Sequence, residues 1–161
     1  MRKTGQAAME FLTTYGWAFL VIIVVVSALY AFGVFDTSSK LPVGCQLDTL
    51  LECSGGYSVD ASSNNISLNI KNSDIRSINI TKLTIKEQSS VDSCSTSNIT
   101  ETSQIANGQA KDLIFDFAFD PLSTCGIVAD IKQVLDIQIT YTKGASAIEN
   151  IASGTLVVVV Q

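Results

Sequence analysis

The chain has 161 residues, with 15 acidic and 10 basic side chains and a formal net charge of −5. This acidic balance, with no basic cluster, leaves no electrostatic footprint for nucleic acid. It contains no histidine, which removes the commonest general base and the commonest metal ligand together.

The first predicted element begins with a short basic leader, Met1-Arg-Lys-Thr-Gly5, and continues as Gln6-Ala-Ala-Met-Glu10. Residues 11–35 then carry no charge, and the next charged residue is Asp36. As a helix these residues extend about 37 Å, more than the ~30 Å of a bilayer core. Val21-Ile-Ile-Val-Val-Val26 is a poor helix former in water. In lipid the backbone must satisfy its own hydrogen bonds, so helix is the expected state. The segment is apolar all round, which suits a helix surrounded by lipid or by other helices. It is too long for the core of a secretory peptide.

Arg2 and Lys3 predict an N-terminus inside the cell and the remainder outside. Tyr15 and Trp17 fall one turn inward, where amphipathic rings favour the interface. Ala7, Ala8, Gly16 and Ala18 offer small surfaces for close helix approach. Glu10 stands apart, because an ionisable group costs roughly 2.5–3.5 kcal/mol at the centre of a bilayer on insertion scales. It must either reach headgroup water or find a partner.

The order Lys3-Thr4-Gly5, then Gln6-Ala7-Ala8-Met9-Glu10, then an apolar run, resembles the class III leader of type IV pilin-like proteins. The likeness is greatest to archaeal pilins and covers about a fifth of the chain. It implies cleavage between Gly5 and Gln6 by a membrane-embedded prepilin peptidase. The mature subunits would then be handled by the pilus assembly machinery. It also implies a helical homopolymer whose core is made of the N-terminal helices. Assembly would pair Glu10 with the new amine of Gln6 on an adjacent subunit. Such a buried pair is favourable only while both charges are present. Removing Arg2 and Lys3 lowers Lys+Arg from 10 to 8 and moves the net charge from −5 to −7.

Residues 36–42, Asp-Thr-Ser-Ser-Lys-Leu-Pro, read as a polar linker. Residues 43–161 then make a segment of usual domain size. All four cysteines, Cys45, Cys53, Cys94 and Cys125, lie there. An even count in an exported, Ser/Asn/Thr-rich domain predicts two disulfides. Four free thiols or a zinc site fit less well, since structural zinc usually wants cysteine pairs separated by about two to four residues. Three pairings are open; a weak preference goes to Cys45–Cys53, closing a short loop, with Cys94–Cys125 joining later segments. Asn65-Ile-Ser, Asn79-Ile-Thr and Asn98-Ile-Thr are glycosylation sequons that agree with export.

Period-two alternation then predicts strands. Ile66, Leu68 and Ile70 form one apolar row, and Ile78 and Ile80 another. Leu83 and Ile85 continue out of phase, which predicts a bulge or a break near Thr81–Lys82. Leu113, Phe115, Phe117 and Phe119 predict a core face, with Asp112, Asp116 and Asp120 on the solvated side. At 3.3 Å per residue these carboxylates spread over about 27 Å, too far for one calcium ion. Leu135, Ile137, Ile139 and Tyr141 repeat the pattern, and Leu156–Val160 predicts a strand covered on both faces. Turn signals occur at Ser54-Gly-Gly56, Ser62-Ser-Asn-Asn65, Asn107-Gly108, Asp120-Pro121, Lys143-Gly144 and Ser153-Gly154.

The expected fold class is therefore α+β: a long N-terminal hydrophobic helix followed by an antiparallel β-sandwich headgroup. An immunoglobulin-like arrangement is expected, and the pilin resemblance implies the same. No nucleophile elbow, phosphate loop or metal-ligand spacing is present, so neither an enzyme nor a cofactor is expected. The leading function is a subunit of an extracellular type IV pilus-like filament for surface adhesion. Before assembly it would reside in the cell membrane. The alternatives are a minor pilin, a membrane-anchored monomer presenting a binding domain, and a flagellin-like motility filament subunit.

Overall fold

The computed structural model describes residues 4–35, 41–47 and 50–161. Arg2, Lys3 and residues 36–40 of the expected linker lie outside the described residues. Two compact units result, residues 1–40 and residues 41–161. Among the described residues the first contains one helix, α1 (Thr4–Ala31).

α1 ends where its backbone supplies its own cap. Gly33 takes φ 64°, a left-handed conformation that costs a side-chain-bearing residue about 1–2 kcal/mol. Its N–H donates to Tyr30 O at 3.0 Å, and Val34 N–H donates to Leu29 O at 3.1 Å. These two bonds satisfy carbonyls that a helix end would otherwise leave unpaired. The apolar segment therefore stops being α-helical at Ala31 and finishes as a turn through Phe35.

Among the described residues the second unit has nine strands: β1 (Gly44–Leu47), β2 (Leu51–Asp60), β3 (Asn65–Asn72), β4 (Ile78–Glu87), β5 (Cys94–Thr96), β6 (Gln104–Ile105), β7 (Ala110–Asp116), β8 (Lys132–Lys143) and β9 (Glu149–Val159). One sheet has the order β1-β9-β8-β4-β5, with β6 also paired to β4. The other has the order β2-β3-β7. Every pairing is antiparallel.

The alternating rows place one side of each sheet in the core. Ile66, Leu68 and Ile70 on β3, Leu113 and Phe115 on β7, and Ile137 and Ile139 on β8 are all buried. Residues of both sheets join a single apolar cluster. Each such aliphatic or aromatic side chain contributes roughly 1.5–3 kcal/mol by leaving water. The phase slip in β4 is a bulge within one strand. Ile80 pairs with Tyr141 and Lys82 with Thr140, leaving Thr81 as the extra residue. Its hydroxyl donates to Thr140 O at 3.1 Å.

Four expectations are corrected. Phe119 is 95 % exposed, because β7 ends at Asp116 and the chain turns before the next apolar position reaches the core. Ser54-Gly-Gly56 makes no turn; it is a bulge inside β2, four steps from Cys53 to Tyr57 facing two on β3. Ser153-Gly154 also lies inside a strand, β9. There glycine serves close approach, since a Cβ on Gly154 would sit 2.1 Å from Gln46 O on β1. Finally, Val159 is exposed, so the Leu156–Val160 run is not covered on both faces throughout.

Two disulfides brace this unit. Cys45–Cys53 joins β1 of the larger sheet to β2 of the smaller one, with a Cα–Cα distance of 5.8 Å. Cys94–Cys125 joins β5 to a turn of 3-10 helix, Leu122–Cys125, with a Cα–Cα distance of 5.5 Å.

Candidate functional site

The surface with the strongest functional character is α1 itself. Every side chain described from Thr13 to Ala31 is exposed apart from half-buried Ala18. Yet the stretch has a mean hydropathy of 2.0 over 19 residues. At 1.5 Å per residue it measures about 28 Å, so α1 is long and apolar enough to cross a membrane.

Its polar hydroxyls do not spoil that match. Thr13 Oγ1 donates to Met9 O at 2.9 Å, and Thr14 Oγ1 donates to Glu10 O at 2.8 Å. Both hydroxyls are thereby satisfied within the helix, as a hydrocarbon or helix-packed environment requires. Tyr15, Trp17, Tyr30 and Phe32 are exposed. Gly16 has no neighbour near the place a Cβ would occupy, so its small size leaves an open notch.

Glu10 is exposed on α1. Gln6 stands four residues earlier, about one turn, so the two positions share a face of the helix. The Gly5–Gln6 bond lies in the first turn of α1.

The three sequons occupy different settings. Asn98 is exposed, and its amide donates to Asp116 Oδ2 at 3.0 Å. Asn65 is half-buried at the start of β3. Asn79 is half-buried on β4 between β8 and β6, and its Oδ1 accepts from Ser103 Oγ at 2.5 Å. The three aspartates of the expected solvated face, Asp112, Asp116 and Asp120, are not brought together. Asp112 accepts from Asn69 Nδ2, Asp116 from Asn98 and Ala118, and Asp120 from Ser95 and Thr124. Among the described residues, no group of three or more Cys, Asp or Glu side chains is placed to hold a metal ion.

One polar constellation escaped sequence reasoning. Lys143 Nζ lies 2.6 Å from Asp74 Oδ2, and the two side chains are only 18 % and 7 % exposed. Asn72, fully buried, supports them. It donates to Arg76 O and Ile105 O, and its Oδ1 accepts from Asp74 N. The Lys143 side chain and the Arg76 backbone N–H hold the Asp74 carboxyl below the usual carboxylate range, against some opposing desolvation. The network ties the β3–β4 connection to the end of β8. Its two charged members are 69 positions apart, and no local pattern signals the pairing.

No protein-family model matches the sequence, and no curated protein is similar enough to count as a relative.

Proposed function

We propose that this chain is a structural subunit of an extracellular type IV pilus-like filament that serves surface adhesion. It is made as a membrane precursor, cleaved after Gly5, and polymerised through residues 6–35. The headgroup is read as an immunoglobulin-like β-sandwich displayed on the filament surface. The observation that carries this reading is the uncovered apolar stretch Thr13–Ala31 behind a Gly5–Gln6 junction and Glu10. Such a surface needs lipid before assembly and neighbouring helices afterwards. The disulfide-braced second unit supports an exported location.

In this reading Glu10 neutralises the amine of Gln6 on an adjacent subunit and so rewards correct register. Glu10→Gln removes the charge while keeping the shape. The variant is expected to insert and be processed normally but to give far fewer filaments, counted by electron microscopy and in sheared surface fractions. Wild-type filament numbers would refute the role given to Glu10.

A second reading is a membrane-anchored monomer presenting an immunoglobulin-like binding domain. It draws on the close match between the 19-residue span and a single bilayer crossing. The two readings part at the sheared fraction, because a monomeric anchor stays with the membrane.

A further inference from the structure

The three Asn-x-Ser/Thr sequences differ in how much of the fold must open to present them. N-linked modification needs the asparagine amide and the hydroxyl two residues on to be held together by a transferase, so the whole tripeptide must leave its neighbours. Asn65-Ile66-Ser67 lies on β3, the middle strand of the smaller sheet, paired to β2 on one side and β7 on the other. Its Ile66 is fully buried. Asn79-Ile80-Thr81 lies on β4, with β8 on one side and β6 on the other. Ile80 is buried, Thr81 Oγ1 donates to Thr140 O, and Asn79 Oδ1 accepts from Ser103 Oγ. Lifting either tripeptide opens pairing on both sides and brings into water an isoleucine whose burial contributes roughly 1.5–3 kcal/mol.

Asn98-Ile99-Thr100 is held differently. Among the described residues it pairs on one side only, through the isolated bridge between Ile99 and Phe115 on β7. Two backbone bonds close it, Asp116 N–H to Asn98 O and Thr100 N–H to Ile114 O, each at 3.0 Å. Ile99 is half-buried, whereas Asn98 and Thr100 are exposed. Asn98 Nδ2 donates to Asp116 Oδ2 at 3.0 Å, which engages one of its two hydrogens. A segment with few buried contacts and one-sided pairing opens locally at lower cost than a strand inside a sheet.

We propose that Asn98 is the position at which this chain carries N-linked carbohydrate, and that Asn65 and Asn79 stay bare. The donor class is an oligosaccharide joined through phosphate to a lipid. A bond forms between Asn98 Nδ2 and the anomeric carbon of the sugar as that carbon's bond to the phosphate oxygen breaks. The phosphate leaves with the bonding pair, and the amide gives up one proton. The product keeps one N–H, which can still donate to Asp116 Oδ2. A sugar here also covers the outer edge of the smaller sheet, where unpaired backbone groups would otherwise invite another chain. The proposal rests on the exported location in the filament reading above and selects among the three positions.

Peptide mapping of the native chain tests it, on membranes and on sheared surface filaments separately. After reduction, cleavage behind lysine and arginine puts the three asparagines in different peptides, residues 41–71, 77–82 and 87–111. The expected result is a carbohydrate mass on Asn98 in 87–111, located by fragmentation that keeps the sugar attached, with Asn65 and Asn79 unmodified. Thr100→Ala removes the hydroxyl and leaves Asn98 and Asp116 in place; it should abolish that mass, whereas Thr100→Ser should retain it. Carbohydrate on Asn65 or Asn79, or a mass on 87–111 that survives Thr100→Ala, would overturn the assignment. Bare peptides from every fraction would overturn it too, while leaving the filament reading to stand on the chain's presence in the sheared material. Sugar on Asn98 in a chain found only in membranes would uphold the assignment and overturn the filament reading.

Discussion

Single side chains set how the headgroup responds to acid. Asp74 is one such case, because its carboxyl is held below the ordinary carboxylate range by Lys143 and by the Arg76 N–H. A carboxylate with a depressed folded-state pKa adds stability that is present above its unfolded value, about 3.9. That contribution is lost as the pH falls through the lower folded value. Thermal unfolding of the detergent-solubilised chain should therefore show a falling Tm below about pH 4. Lys143→Met should lower the Tm at neutral pH and flatten the acid slope, since the depressed pKa loses its first cause. An unchanged slope would show that Asp74 does not carry this linkage. Local residue patterns announced the apolar rows on β3, β4 and β8, because alternation is a property of neighbours in sequence. The Asp74–Lys143 pair was invisible for the opposite reason: only the completed sheet brings its members together.

At the scale of elements, the strands were legible where one face is dry and the other wet. The phase slip at Thr81 could be read as a bulge or a break, and pairing with β8 makes it a bulge. Glycine was the weaker guide. Gly154 serves a close approach by β1 and not a turn, and a residue's own neighbours cannot distinguish those two uses. The Phe115–Phe117–Phe119 row failed at its end, because alternation persists in sequence after the strand has stopped. The disulfides act between elements. Cys94–Cys125 closes 31 residues and Cys45–Cys53 only 8. Loop-closure entropy gives about 3.7 kcal/mol for the longer loop and about 2.5 kcal/mol for the shorter one. Paired Cys→Ala variants should therefore both unfold earlier, with the Cys94/Cys125 pair losing more. Denaturant titration of the two double variants checks the order, and equal or reversed losses would contradict the chain-entropy account.

The whole molecule joins two units with opposite solvent requirements. The helix exposes hydrocarbon along Thr13–Ala31, whereas the strands bury theirs in one cluster and turn polar side chains outward on the smaller sheet. A helix of that kind in a water-facing protein needs a cover, and the filament reading supplies it from identical helices after the leader is removed. Much of the proposed site was legible in sequence, since Gly5, Gln6, Glu10 and the uncharged run are adjacent in the chain. The most direct test of the account is intact-mass and N-terminal peptide mass spectrometry on the native protein, from membranes and from sheared surface filaments. The account predicts chains beginning at Gln6 in the sheared fraction, with both disulfides closed. Chains that all begin at Met1 and remain with the membrane would contradict it.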